Sequence, residues 1–212
     1  MLLKYVSPDL NIKGNVAIIS NSKINTKKNL GHKIDKEDFV VRFNYSKIKG
    51  FEKKIGNKTN LRVINHYFFK DKYKEILNKQ SKYFLIDTTN KISKKKIKKF
   101  KNLFLFDYEK ILLLKYKYGL LSNVFDKHQI FGTWLNLIFS QIMTSGLTFI
   151  LICVESGIRP RLYGFKKGIN RQKGHYFIKP LSDKGTGRAH NSIYETFILN
   201  KLVKRKLVKL IS

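Results

Sequence analysis

A layered α/β domain with a largely parallel central sheet is what this sequence predicts, on three observations. Short apolar runs recur through the first half, each bounded by polar or glycine residues and separated by segments of helix length. The 212 residues are 42% hydrophobic, enough for one real core and one domain spanning residues 1–212. A lone cysteine, Cys153, excludes an intrachain disulfide or a multi-cysteine zinc site, so packing must hold the fold.

The first run, residues 16–20 (VAIIS), lies between Gly14 and the polar pair Asn21 and Ser22, as a strand buried on both faces would. Residues 39–44 (FVVRFN), 61–65 (LRVIN), 82–87 (KYFLID) and 102–106 (NLFLF) read as further strands, with lysine-rich helical candidates over 71–79 and 93–101. Core helices are expected over 134–142 and 147–154, then a strand at 160–165 (PRLYGF), where Pro160 stands at a position that tolerates a missing N–H. Residues 166–188 are rich in Gly, Lys and polar side chains without a period, a composition suited to an active-site loop. Along 191–211, Leu199, Leu202, Val203, Leu207, Leu210 and Ile211 fall on one helical face and Lys201, Lys204, Arg205 and Lys209 largely opposite. This predicts a basic amphipathic helix closing the domain over 189–212. The uncharged stretch 131–154 is long enough to cross a bilayer. Its Asn136, Gln141, Thr144 and Ser145, with Gly146, instead favour two buried helices separated by a Thr-Ser-Gly turn.

The charge is extreme. Forty-four Lys+Arg against 14 Asp+Glu give +30, which favours anionic partners but says nothing of the fold. Only 7 of the 44 cations are Arg, and Ala occurs twice, a residue usage that points to base composition as one source of the lysines. A nucleic-acid module would lean on Arg and exposed aromatics, and no helix-turn-helix, zinc or RNA-recognition signature is present, so nucleic acid is not expected as the partner.

In a parallel sheet ligands bind beyond the carboxyl ends of the strands. That directs attention to Asn21 and Ser22 after the first strand and to Asn44 after the second. An Asn amide offers both a donor and an acceptor to a phosphate or nucleoside, and it is equally at home as a turn cap. Thr144, Ser145 and Gly146 precede an apolar helix whose free N–H groups would face an anion, with an ordinary N-cap as the alternative. No Asp-x-Asp pair for a metal-bound diphosphate occurs in the chain. Cys153 lies among apolar residues and reads as an inert buried thiol.

Four blocks appear in order: VAIISNS with IDKEDFVVRFN and GFEKKIGNKTNLR, from Asn15 to Arg62; TSGLTFILICVESGIRPRLYGF, from Thr144 to Phe165; His175-Tyr176-Phe177; and His190 followed five residues later by Glu195. They resemble the L, S, III and VS sialylmotifs of the animal-type sialyltransferases. The resemblance covers under half of the chain, and residues 65–132 carry no matching motif. It implies a glycosyltransferase-A-like, Rossmann-type sandwich and a metal-independent, inverting transfer of sialic acid from CMP-sialic acid to a glycan hydroxyl, with no cofactor. His190 would be the general base, and an imidazole titrating near pH 6.5 suits that role. His175 would act near the departing phosphate with Tyr176 assisting, and Asn21, Asn44 and the Thr144 turn would bind the donor. Glu195 would either polarise catalytic groups or simply favour the first turn of the last helix. Lys58, Thr59 and Arg62 read as structural or long-range electrostatic residues, and His32, His66 and His128 as ordinary ones.

The family pairs a cysteine in its L block with one in its S block, and Val16 and Gly157 stand at the matching positions here. With no anchor segment either, the expectation is a cytoplasmic protein, peripheral on the inner face of a membrane if its terminal helix docks there, and not a Golgi resident. CMP-Kdo stands as an alternative donor, since it shares the carboxylate-bearing ketosidic carbon. Docking of the terminal helix on an anionic membrane would suit a lipid-linked acceptor.

Overall fold

The computed structural model describes residues 12–78, 81–87, 92, 94–118, 143–165 and 192–211. Seven strands form its sheet: β1 Val16–Ile19, β2 Phe39–Phe43, β3 Leu61–Asn65, β4 Lys82–Ile86, β5 Leu103–Phe106, β6 Arg161–Tyr163 and β7 Lys209–Ile211. Their order is β5-β4-β3-β2-β1-β6-β7, and every pairing is parallel. The predicted α/β sheet is therefore present, with six strands on the apolar runs read from sequence. The helix expected over 134–142 lies outside the described residues.

Near-continuous apolar runs form such strands because both faces are covered. Alternate residues on one face, among them Val16, Ile18, Val41, Val63, Phe84 and Leu162, pack against helices α6 Tyr108–Lys117, α7 Ser145–Glu155 and α8 Ser192–Lys204. The opposite face places Ala17, Ile19, Val40 and Tyr163 against α1 Gly31–Asp35. Farther along that face, Ile64, Tyr83 and Leu85 meet α3 His66–Asp71, α4 Tyr73–Asn78 and α5 Lys94–Ile97. Cys153 is free and fully buried in the first of these layers, and burial pushes its thiol pKa far up, so it packs and does not react. No helix among the described residues is long and apolar enough to cross a membrane.

The C-terminal segment departs from expectation. The single helix predicted to run through 211 stops at Lys204, and residues 209–211 return to the sheet as β7 beside β6. Lys206 takes φ +56°, its N–H reaches Val203 O at 3.0 Å, and Leu207 N–H reaches Leu202 O at 2.9 Å. These two bonds close a Schellman turn without the usual glycine. The same device, with Gly157 at φ +74°, ends α7 through Ile158 N–H to Cys153 O at 2.9 Å. The apolar residues of α8, Ile198, Leu199 and Leu202, are buried in the core.

Between β2 and β3 the chain wraps a buried cation. Arg42 is fully buried, with Nε donating to Lys58 O (3.1 Å) and Thr59 Oγ1 (3.0 Å), and Nη2 to Ile55 O (2.7 Å) and Gly56 O (3.0 Å). Two of those carbonyls close the short helix α2 Glu52–Ile55, where carbonyl dipoles favour a positive charge. The Asp35 carboxylate holds the same loop from outside, accepting from Asn57 N at 2.8 Å and Lys58 N at 2.9 Å. Lys58 and Thr59 thus have the structural part expected of them. Replacing Arg42 by Ala strands these oxygens and should cost about 3 kcal/mol or more in urea unfolding. Arg42→Lys should recover only a part of that, since an ammonium cannot reproduce the fork. A loss below about 1 kcal/mol for the Ala variant would show that this packing is incidental.

Candidate active site

The strand order places a reversal at β1. The chain builds outward from β1 to β5, then crosses back to lay β6 on the other side of β1. Connections depart from β1 and β6 in opposite directions, which leaves a crevice beyond their carboxyl ends. Residues 20–22 and 164–165 border it.

The floor of the crevice is a polar lock. Ser20 N–H donates to Tyr163 O at 2.9 Å and its hydroxyl to Gly164 O at 2.8 Å. Asn25, 3% exposed, donates Nδ2 to Ser20 O at 2.5 Å. Its amide fills the space above Gly164, where an added Cβ would lie 2.3 Å from Asn25 Oδ1, and Gly164 has φ +75°. Only glycine satisfies both demands. Ser22 is buried in this lock, its N–H on Ser20 Oγ at 3.2 Å.

Above the lock stand the two asparagines read from sequence. Asn21 donates Nδ2 to Phe43 O at 3.2 Å, tying the end of β1 to that of β2, and its Oδ1 is sealed from solvent with no partner among the described residues. Asn44 has φ +42°, a left-handed conformation that asparagine tolerates better than most residues. Its Oδ1 accepts from Asn65 N at 2.9 Å and its carbonyl from Arg62 Nη1 at 2.6 Å. The turn-cap and ligand readings coincide here: Asn44 is fixed through Oδ1, its carbonyl and its N–H, which donates to Val63 O at 2.9 Å, and its side-chain NH₂ has no partner among the described residues. Arg62, expected to be structural or long-range electrostatic, steadies this turn through its bond to the Asn44 carbonyl.

The third wall is the start of α7. Thr144 is its N-cap, accepting from Leu147 N at Oγ1 (3.1 Å), while Thr148 N bonds Thr144 O at 3.0 Å. The N–H groups of Ser145 and Gly146 are left without a partner among the described residues. Among the described residues, a Cβ on Gly146 would come no nearer than 3.7 Å, at the Phe165 ring, which sets this turn on the β6 side of the crevice. Glu195 lies in the first turn of α8, as expected, and does more. Its carboxylate accepts from Thr144 N at 2.6 Å and Thr144 Oγ1 at 2.9 Å, joining α8 to the first turn of α7. The negative charge sits at the positive end of α7, where it is favoured.

Asn21, Ser22, Asn44, Thr144, Ser145, Gly146 and Glu195 are thus gathered along one edge of the sheet. His175, Tyr176 and His190 lie outside the described residues. Sequence reasoning missed Ser20, Asn25, Asn65 and the part played by Gly164. The SNSxxN pattern directly after the first apolar run was the available signal for the first two.

A family description, Glycosyltransferase family 29 (sialyltransferase), matches residues 14–207. The chain is 33% identical over 73 residues to beta-galactoside alpha-2,6-sialyltransferase 2 of Gallus gallus, 30% of this chain and 14% of that protein. It is 48% identical over 46 residues to the Homo sapiens CMP-N-acetylneuraminate-beta-1,4-galactoside alpha-2,3-sialyltransferase, 22% of this chain and 12% of that protein. The aligned stretches are thus a small part of these relatives' length. In three dimensions it superposes on a mammalian sialyltransferase with TM-score 0.62 and 18% identity, covering 99% of this chain and 76% of that one. A Campylobacter jejuni sialyltransferase solved with cytidine-5′-monophosphate gives TM-score 0.51 at 16% identity, over 92% of this chain and 78% of that one. These likenesses agree on the glycosyltransferase-A-like fold, and the match over residues 14–207 settles the family: the chain belongs to glycosyltransferase family 29, the sialyltransferases.

Proposed function

We propose that the chain transfers sialic acid from CMP-sialic acid to a glycan hydroxyl, with inversion at the anomeric carbon and without a divalent metal. The observation that carries this reading is the pair of N–H groups at Ser145 and Gly146, without a partner among the described residues, on the same edge of the sheet as Asn21 and Asn44. A monophosphate leaving group gains charge as the glycosidic bond breaks, and fixed N–H dipoles aimed at it stabilise that charge without reorganising. Asn21, with its orphan Oδ1, and Asn44, with its spare NH₂, offer a nucleoside one acceptor and one donor. His190 takes the proton of the acceptor hydroxyl while its oxygen bonds the anomeric carbon and CMP departs. His175, with Tyr176, serves the phosphate. Glu195 supports the base through the fold: it follows His190 by five residues and is bonded to the donor turn at Thr144. The absence of an Asp-x-Asp pair supports the metal-free assignment.

CMP-Kdo is the alternative donor, and turnover of it alone would retire the sialyl assignment. The missing cysteine pair supports a reducing, cytoplasmic location. Peripheral contact with an anionic membrane carrying a lipid-linked acceptor would rest on the outer face of α8, where Lys201 Nζ lies 4.4 Å over the half-exposed Phe197 ring. It would be electrostatic, because the apolar face of α8 is spent on the core.

Assay with both donors in the presence of chelator tests the reaction. His190→Ala should lower kcat by about 10²–10⁴-fold while CMP at 100 times its Kd still stabilises the protein by about 2.7 kcal/mol. Unchanged turnover in this variant would remove His190 from the mechanism. Gly146→Ala separates fold from site: the substitution should raise helix stability by up to about 1 kcal/mol yet weaken CMP binding at least tenfold. Undiminished CMP affinity would place the phosphate elsewhere.

A further inference from the structure

We propose that Tyr45, Tyr67 and Asp71 form a subsite that holds a neutral pyranose ring of the acceptor, an assignment that rests on the glycosyl-transfer reading above. The two tyrosines are 46% and 69% exposed, which is unusual for large aromatics in a chain that buries most of its apolar residues. They stand on the same edge of the sheet as the donor crevice. Tyr45 directly follows Asn44 beyond β2, and Tyr67 lies in the first turn of α3 beyond β3, a turn capped by Asn65 Oδ1 on Phe68 N at 2.9 Å. Asn65 is also the residue whose N–H holds Asn44, so donor wall and aromatic patch share one support.

The patch is built, not merely exposed. Tyr67 and Asp71 are four residues apart and share a face of α3. Tyr45 donates its hydroxyl to Asp71 Oδ2 at 2.7 Å, and its ring packs on Phe68 with centroids 4.7 Å apart. The His66 ring lies 3.8 Å from that of Tyr67. Partial burial and the Asp71 carboxylate push the Tyr45 hydroxyl pKa up to about 12, so it remains a donor and keeps Asp71 turned. Among the described residues Asp71 Oδ1 has no partner and no Lys or Arg pairs with Asp71, in a protein of net charge +30.

Aromatic faces with one convergent polar group are the elements of a ligand site. A carboxylate oxygen accepts strong hydrogen bonds from hydroxyls, and the C–H face of a pyranose suits a tyrosine ring. The same carboxylate argues against the donor occupying this place. A CMP-linked keto-sugar carries a phosphate and a carboxylate, both repelled by Asp71, whereas a neutral hexose carries no charge to repel.

Tyr67→Ala and Asp71→Asn should each raise the acceptor KM for lactose about tenfold or more, with the CMP-induced thermal shift unmoved, and Tyr67→Phe should restore the wild-type KM. An unchanged lactose KM in both variants, or a weakened CMP response, would overturn the assignment. Should the wild type turn over neither CMP-sialic acid nor CMP-Kdo, the transferase reading fails first, and saturation-transfer NMR with CMP present judges the subsite alone. Methyl β-galactoside, methyl β-glucoside and methyl β-N-acetylglucosaminide would serve as probes. Contact with one of them that Tyr67→Ala abolishes sustains the proposal. Contact with none, or contact that survives the substitution, overturns it.

Discussion

Everything at this site depends on β1 being an interior strand at which the order of a wholly parallel sheet reverses. Parallel pairing makes all seven strands end on one edge, and the reversal sends the connections from β1 and β6 to strands on opposite sides. An opening between two buried strands exposes backbone polar groups that must be satisfied. The Ser20, Asn25 and Gly164 lock does this directly below the crevice, and it does so with short side chains. The fold therefore ties the ends of β1 and β6 together through a floor of hydrogen-bonded polar groups.

Residues far apart in the chain meet there for reasons that can be named. The L block reaches this edge at two points, through Asn21 after β1 and Asn44 after β2, and the buried Arg42 holds the connection that follows. The S block supplies the helix start. Glu195 of the VS block then takes the N–H and hydroxyl of Thr144, so α8 cannot shift without disturbing the first turn of α7. Under the transferase reading, this bond is how a proton acceptor at position 190 and an anion site at Ser145 and Gly146 would keep their relative positions.

Much of this was legible in the sequence. The strands announced themselves because burial on both faces demands unbroken apolar runs, and Asn21 and Asn44 stood out as polar residues placed where those runs end. That Asn44 needs a left-handed backbone, or that Asn25 closes over Gly164, depends on contacts between segments about twenty to well over one hundred residues apart, which local pattern does not encode. The end of α8 was illegible for a different reason. The apolar spacing from Leu199 continues through Leu207 to Ile211, and the residue that breaks the helix is Lys206, a lysine at φ +56° with no glycine or proline to mark the stop. A three-residue strand such as β7 is also too short for alternation to show.

The most direct measurement is an NMR titration of the labelled protein with CMP, in chelator and at moderate salt. The account predicts that the amide signals of Ser145 and Gly146 and the side-chain NH₂ signals of Asn21 and Asn44 shift together, with one saturation curve. Shifts confined to lysine-rich surfaces, or curves that weaken steeply with salt and leave those four residues unmoved, would contradict it.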